Sequence, residues 1–266
     1  MRGCKVIIAC RSNAEKEVNK IKELTDNPNI TSKRLNLCSL KSVRAFAEEI
    51  KNTEPKIDIL INNAGALVTS QKISEDGLNA LMQTNYFGAF LLTHLLLEPL
   101  KASKGRVVFL TSALAYKHEL TLQNLNMTEF ESKEMMSTIY PNSKLCNILA
   151  AQEFAKKMNK LEIKVNCADP GIAYTQIFLP YTSLEGDSWS KMFLRALSTP
   201  FVKEPIEAAQ TTFHLAISEE LEEENGELYF RCKPFRKPDI LSDQQFVAEI
   251  WRKSEELVGL KPDEKL

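Results

Sequence analysis

The sequence predicts an α/β fold, a doubly wound parallel sheet with helices on both faces. Short apolar runs alternate along the chain with longer amphipathic stretches, and the runs are almost continuously apolar. Strands of this kind are buried on both faces, as parallel strands covered by helices are. The chain has 266 residues and no Gly/Pro/Ser-rich linker or internal repeat, so we expect one domain over residues 1–266.

Each element follows from its local pattern. Six runs are predicted strands: Lys5–Cys10, Thr31–Leu37, Ile57–Ile61, Arg106–Thr111, Lys164–Ala168 and Glu227–Phe230. Helices are expected between them, and the best defined begins at Leu40 with Ser39 as its N-cap, because apolar positions 40, 43, 46, 47 and 50 have helical spacing. Ligands of open α/β sheets bind beyond the carboxyl ends of the strands, which makes the residues after each strand the candidates for function.

Composition excludes several classes of protein. The 34 Lys and Arg residues against 35 Asp and Glu give a net charge of -1, which argues against a nucleic-acid binder. A hydrophobic content of 44% excludes a disordered or collagen-like chain. The six cysteines form no CxxC pair and are interpreted as buried, reduced thiols. The three histidines are too dispersed for a metal site, and no apolar run is long enough to span a membrane, so the sequence as written predicts an intracellular, cytoplasmic protein.

Two groups of polar residues follow predicted strands. Asn62-Asn63-Ala64-Gly65 comes after the third strand, although it could be only a turn. Ser112 follows the fourth, and 28 residues later Tyr140 opens a helix that places Lys144 on the same face. A nearby ammonium group lowers the pKa of a tyrosine, ordinarily about 10, and a serine hydroxyl can bind a substrate oxygen. Tyr-x-x-x-Lys alone is a common chance pattern.

The ordered set of motifs resembles the short-chain dehydrogenase/reductase family from about residue 5 to about residue 230. The motifs are Asn62-Asn63-Ala64-Gly65, Thr84-Asn85-Tyr86-Phe87-Gly88-Ala89-Phe90, Ser112, Tyr140-x-x-x-Lys144 and Asp169-Pro170-Gly171. The resemblance implies a Rossmann-like, three-layer α/β/α fold and a catalytic tetrad. In that tetrad Tyr140 would transfer a proton, Lys144 would lower the tyrosine pKa and bind the nicotinamide ribose, Ser112 would orient the substrate oxygen, and Asn85 would hold a water.

The resemblance also implies a cofactor site. Asn63, Ala64 and Gly65 would line the adenosine side, and Asn36, beside Leu37, stands where the family has an aspartate that contacts adenine. Pro170, Gly171 and Thr175 would close on the nicotinamide, which Tyr140 and Lys144 also approach.

Arg11 decides the expected cofactor. It directly follows the first predicted strand, with no acid before Glu15. An arginine there accommodates a 2′-phosphate, so NADP(H) is expected and NAD(H) is the weaker alternative. Arg11 could also be a solvated charge at a strand end.

Within the family the chain resembles the retinol dehydrogenase branch, through Cys10-Arg11-Ser12, Ser39-Leu40-Lys41-Ser42-Val43, Pro205-x-Glu207-Ala208-Ala209-Gln210-Thr211 and Gly226-x-x-Tyr229-Phe230. The branch implies a small lipophilic alcohol or carbonyl substrate, retinol or retinal-like. It also implies endoplasmic reticulum association of a full-length form through an N-terminal segment, and a homodimer through the helices at 87–97 and 145–154. Apolar residues in segments 116–138 and 179–203 would line the substrate pocket or simply pack a helical flap: Met135, Met136, Phe178, Leu179, Trp189, Met192 and Phe193.

The family's pattern begins with a strand and a glycine-rich turn that this sequence lacks, since none of its nine glycines cluster before residue 65. The expectation is a truncated N-terminus without the first strand and first helix. A missing central strand would leave a gap of about 10 Å, so the sheet would have to close up, borrow a strand or be marginally stable. Two hypotheses follow: an NADP(H)-dependent oxidoreductase, or a non-catalytic chain that acts through protein contacts.

Overall fold

The computed structural model describes residues 3–67, 69–171 and 203–266, and the strands within them form two sheets. The strands are β1 (Val6–Cys10), β2 (Ile30–Arg34), β3 (Ile59–Asn62), β4 (Arg106–Leu110), β5 (Lys164–Asp169), β6 (Leu228–Phe230) and β7 (Lys233–Phe235). All six predicted strands are confirmed, within a few residues at their ends. Strand β7 was not predicted, because its turn from β6 uses Arg231 and Cys232 at positive φ instead of the Gly or Asn that signals a tight hairpin.

The pairing is parallel except at the last strand. Strands β1 and β2 pair with each other, and the second sheet has the order β3-β4-β5-β6-β7, with only β7 antiparallel. In the centre Val107 of β4 pairs with Leu60 on one side and Val165 on the other. The predicted parallel sheet is therefore confirmed for both groups of strands.

The sheet is interrupted between β1 and β3. Within the described residues no ladder joins these strands, so the sheet has not closed up, and Val6 and Ile61 remain 40% and 38% exposed. The β1–β2 pair is held in place by packing against other elements of the fold instead of by a strand on its open side. A Cβ at Gly88 would lie 2.5 Å from the carbonyl oxygen of Leu37, so a glycine there lets the following helix approach the segment after β2.

The helices alternate with the strands. They are α1 (Glu15–Thr25), α2 (Leu40–Thr53), α3 (Ala80–Met82), α4 (Gly88–Leu95), α5 (Leu97–Ser103), α6 (Tyr140–Met158), α7 (Pro205–Ala208), α8 (Gln210–Ile217) and α9 (Gln244–Leu257), with π-helical turns at Gln83–Phe87 and Met135–Ile139. Helix α2 begins where the sequence predicts, since the Ser39 hydroxyl accepts a hydrogen bond from the Ser42 amide at 3.3 Å.

Alternate residues of β4 face two separate layers. Val107 and Phe109 belong to the main core beneath α2, α4 and α6, whereas Val108 and Leu110 join a smaller cluster with Leu215 of α8. This division of one strand between two apolar faces confirms the three-layer α/β/α arrangement.

Helix α9 covers α4 and α6 through an aromatic cluster of Phe90, His94, Phe154 and Trp251. The hydroxyl of Tyr86 also donates to Ser254 on α9, at 2.8 Å. The two helices for which the resemblance implies a dimer contact therefore also pack against a helix of the same chain, and the dimer stays a prediction.

Not all cysteines have the predicted environment. Cys146 and Cys167 are buried, but Cys4 is exposed and Cys10, Cys38 and Cys232 are half-buried. The prediction of buried thiols is wrong for these four: Cys4 lies before β1, Cys10 ends β1, and Cys38 and Cys232 lie in turns. Among the described residues, no helix combines the length and apolar character needed to cross a bilayer.

His94 makes stability depend on pH. It is 3% exposed, its Nδ1 lies 3.0 Å from the Phe90 carbonyl oxygen, and burial lowers its pKa from 6.5 to about 4. Below pH 6.5 His94 becomes protonated in the unfolded chain, whereas in the folded chain it stays neutral until the pH falls to about 4. We expect this site to remove about 3 kcal/mol of the free energy of unfolding over that window, with the full stability present above it.

Urea unfolding at pH 7 and pH 4.5, compared between the wild type and His94→Phe, measures this contribution. The variant should lose less stability on acidification than the wild type does. Identical losses in the two proteins would contradict the prediction.

Candidate active site

The carboxyl ends of the strands bring most of the predicted functional residues to one edge of the fold. Following β1 to β5 in turn, they are Arg11, Asn36 and Leu37, Asn63-Ala64-Gly65, Ser112, and Pro170-Gly171. Thr175 lies outside the described residues. The edge is where an α/β sheet binds a ligand.

Tyr140 and Lys144 lie on the first turns of α6, as predicted. Tyr140 is 7% and Lys144 5% exposed, and the Lys144 ammonium lies 5.6 Å from the centroid of the Tyr140 ring. The π-helical turn that precedes α6 continues directly into Tyr140. Side chains at i and i+4 share a helix face, which explains their proximity.

Ser112 lies beside the Tyr140 phenol. It follows β4, its hydroxyl accepts a hydrogen bond from the Leu114 amide at 3.3 Å, and it also hydrogen-bonds the tyrosine, which lowers the tyrosine pKa. The geometry thus places a hydroxyl, a phenol and an ammonium group at the end of β4 and the start of α6.

The electrostatics differ from the expectation for Tyr140. Burial raises its pKa to about 12, and the charge of Asp169 acts in the same direction. The Lys144 ammonium donates to the Leu110 carbonyl at 3.3 Å. The lowering of the tyrosine pKa by Lys144 stays a prediction. Burial lowers the pKa of Lys144 itself to about 8.

Asn85 ties the loop after β3 to helix α6. Its Oδ1 accepts from the Ala66 amide at 2.7 Å, and its Nδ2 donates to the Ala66 carbonyl at 2.9 Å and to Ser143 Oγ at 3.1 Å. Both amide hydrogens are used within the protein, so only Oδ1 retains an acceptor position for a water. Asn85 lies in a π-helical turn, a form often found at functional sites.

Gly65 leaves space beside this group. A Cβ at position 65 would lie 3.3 Å from Lys144 Nζ and 3.6 Å from Asn85 Oδ1. The glycine therefore lets the loop after β3 lie close to Lys144 and Asn85 without displacing the lysine side chain.

The residues expected to hold adenosine are accessible. Arg11, Asn63 and Ala64 are exposed, and Arg11 makes no hydrogen bond or ion pair with any described residue. The Oδ1 of Asn36 accepts from the Cys38 amide at 3.1 Å, which leaves its Nδ2 to donate to a ligand. Together with the space at Gly65, these groups fit the two ends of a nicotinamide nucleotide.

One residue of the site, Asp169, was given no role from the sequence. Asp169, the last residue of β5, is only 4% exposed and lies within the same group. The sequence pattern that could have identified Asp169 is an acidic residue directly after the predicted apolar strand. Met135, predicted for the pocket or for packing, is buried in the main core, and Met136 packs against it. Phe178, Leu179, Trp189, Met192 and Phe193 lie outside the described residues.

Comparison with known proteins places this geometry in a family. A family model described as short chain dehydrogenase matches residues 1–124. The chain is 33% identical to retinol dehydrogenase 13 of Mus musculus, over 97% of this chain and 78% of that protein. It is also 33% identical to retinol dehydrogenase 14 of Homo sapiens, over 97% of this chain and 80% of that protein.

Solved structures share the fold at lower identity. A protein from Mycobacterium paratuberculosis superposes with a TM-score of 0.69 at 24% identity, covering 97% of this chain and 85% of that one. The RhlG/NADP complex of Pseudomonas aeruginosa superposes with a TM-score of 0.63 at 20% identity, covering 85% and 84% of the two chains. With the shared fold and the extended similarity to the two retinol dehydrogenases, the chain belongs to the short-chain dehydrogenase/reductase family of oxidoreductases, in its retinol dehydrogenase-like branch.

Proposed function

We propose that this protein is an NADP(H)-dependent oxidoreductase that interconverts a lipophilic alcohol and its aldehyde or ketone, of the retinol and retinal type. The observation that carries the proposal is the grouping of Tyr140, Ser112 and Lys144 beside the space left by Gly65. The names of the relatives, which are retinol dehydrogenases, support the substrate class.

The cofactor would lie along the strand ends. Arg11 would bind the 2′-phosphate, Asn36, Leu37 and the 63–65 loop the adenosine, and Lys144 with the 170–171 loop the nicotinamide ribose. When bound, the nicotinamide supplies or accepts the hydride. Thr175 would contribute to the same end of the site.

The protein's own groups would handle the proton. A phenol with a pKa of about 12 stays protonated at neutral pH, so Tyr140 is suited to donate a proton to a carbonyl oxygen. Ser112 would donate a hydrogen bond to that oxygen and stabilise the charge that develops on it. Lys144, held by the Leu110 carbonyl, would provide positive charge near the phenolate that remains.

Purified protein titrated with NADPH, followed by an assay of retinal reduction, tests the proposal. We expect enhanced nucleotide fluorescence with saturation at micromolar NADPH, and then retinol formation. A folded protein that binds no NADPH would instead support the second candidate, a non-catalytic chain that acts through protein contacts. The interrupted β1–β3 edge, which exposes Val6 and Ile61, is the observation that favours this candidate.

Replacement of Arg11 should change cofactor preference. We expect Arg11→Ala to weaken NADPH binding about tenfold and to leave NADH binding nearly unchanged, because only NADPH has the phosphate for the guanidinium group to pair with. Dissociation constants for both nucleotides measure the effect.

Arg252→Ala on helix α9 is the matched control, since this arginine is paired with Glu256 instead of facing the strand ends. Equal loss of NADPH and NADH affinity in Arg11→Ala would contradict the assignment.

A further inference from the structure

The end of strand β4 is joined to helix α6 by three hydrogen bonds from buried side chains. The Thr111 hydroxyl donates to the Lys144 carbonyl oxygen at 2.7 Å. The Leu110 carbonyl oxygen accepts from the Lys144 ammonium at 3.3 Å and from the Asn147 side-chain amide at 2.8 Å. Thr111, Lys144 and Asn147 are 3%, 5% and 2% exposed. The lysine of the candidate active site therefore shares its acceptor with a second side chain of the same helix.

Thr111 fixes the backbone of α6 at the position of Lys144. Its own amide donates to the Ala168 carbonyl of β5 at 2.9 Å, so the strand end is held on one side by β5 and on the other by the helix. The position of the ammonium group then depends on what the long lysine side chain binds. Among the described residues, that acceptor is the Leu110 carbonyl.

The two donors share the Leu110 oxygen unequally. A carbonyl oxygen has two lone pairs and can accept from both. A hydrogen bond from an ionised donor is normally the shorter kind, at about 2.7–2.9 Å. Here the neutral amide of Asn147 makes the short bond, and the charged group of Lys144 makes the long one. Asn147 lies three residues after Lys144 on the same face of α6, so both side chains reach the oxygen from neighbouring positions.

Asn147 makes few other polar contacts in the interior. Its Oδ1 is buried and has no hydrogen-bond donor among the described residues. A buried polar atom without a partner costs free energy, which offsets what the single bond to Leu110 contributes. Asn166 of β5 differs, because its side chain donates to the Glu224 carbonyl and accepts from the Glu227 amide. Stability alone therefore explains Asn166 but not Asn147.

We propose that Asn147 is a positioning residue, which occupies the Leu110 carbonyl at close range and so keeps the Lys144 ammonium loosely held. An ammonium group has three donors, and those that Leu110 does not take remain available to a nucleotide in the space beside Gly65. The nucleotide rests on the proposed function, whereas the sharing of the Leu110 carbonyl does not.

The ammonium proton resonance of Lys144 tests the proposal without nucleotide. In protein labelled with 15Nζ-lysine, this resonance is the one lost in Lys144→Arg. Burial lowers the pKa of Lys144 only to about 8, so the group is charged at pH 6. Asn147→Leu keeps the branched shape of the side chain but removes the amide. We expect the Lys144 resonance to move downfield, because the ammonium can then approach Leu110 to the short distance.

The stability of Asn147→Leu distinguishes positioning from a structural role. We expect its urea midpoint to stay close to the wild-type value, because the unpaired Oδ1 is removed together with the bond to Leu110. Gln152→Leu is the matched control, since this amide of α6 donates to the Leu241 carbonyl at 3.2 Å, and it should leave the Lys144 resonance unchanged. If Asn147→Leu does not fold, Asn147→Ala is measured in the same way.

Nucleotide binding completes the test. We expect Asn147→Leu to raise the dissociation constant for NADPH about tenfold and to leave kcat at saturating nucleotide near the wild-type value, because Lys144 must first leave the carbonyl. An unmoved Lys144 resonance would overturn the inference, and so would a moved resonance with unchanged NADPH affinity. A wild type that binds no NADPH, with a resonance that moves in the variant, would refute the proposed function and leave the sharing of the Leu110 carbonyl standing.

Discussion

Tyr140→Phe should lower kcat/KM for retinal reduction by about 10²–10⁴-fold while NADPH still binds. The phenylalanine keeps the ring that packs near the Lys144 ammonium but removes the hydroxyl that Ser112 contacts. Proton donation to the substrate oxygen would then fall to water, which the 7% exposure of this residue restricts. Steady-state kinetics together with NADPH titration separate the loss of chemistry from any loss of binding.

Tyr116→Phe is the control for this variant. Tyr116 donates to the Arg236 carbonyl and also faces Asp169, but it lies in the short helical turn after Ser112 and is 41% exposed. Its replacement should leave kcat/KM close to the wild-type value. Comparable activity of Tyr140→Phe and wild type would remove Tyr140 from the mechanism.

The elements predicted from the sequence are those whose signal is local. The N-cap at Ser39 and the i,i+4 relation of Tyr140 and Lys144 depend on a few neighbouring residues, and both are found. The pKa of Tyr140 could not be predicted in this way. It depends on burial and on Asp169, which a different strand brings to the site.

Other features were missed because they arise from long-range packing. The environments of Cys10 and Cys38 depend on what covers the ends of β1 and β2. Helix α9 carried a readable signal, since Asp243 caps its first turn and Val247, Ile250, Trp251 and Ser254 follow helical spacing. What no local pattern could indicate is that this helix covers α4 and α6.

Trp251→Ala should have the largest effect on stability, a loss of about 3–5 kcal/mol in the free energy of unfolding. The indole ring lies 4.8 Å from the ring centroids of both Phe90 and Phe154, and its Nε1 donates to Glu255 at 2.8 Å. Truncation would leave a cavity among rings that have little freedom to close it. Urea unfolding at pH 7 measures the loss, and Arg252→Ala, on the exposed face of the same helix, should change it by less than about 1 kcal/mol.

The Trp251→Ala variant also tests whether α9 keeps His94 buried away from water. The His94 ring lies 5.4 Å from the Trp251 ring, and burial is the main cause of its low pKa. If water enters when the indole is removed, the His94 pKa should rise toward 6.5, and the acid-dependent loss of stability should shrink along with the stability itself. Sedimentation of Trp251→Ala would also reveal self-association if loosening α9 uncovers α4 and α6. The idea that α9 shields this side of the core from water would be contradicted if Trp251→Ala lost little stability and its free energy of unfolding fell on acidification as much as that of the wild type.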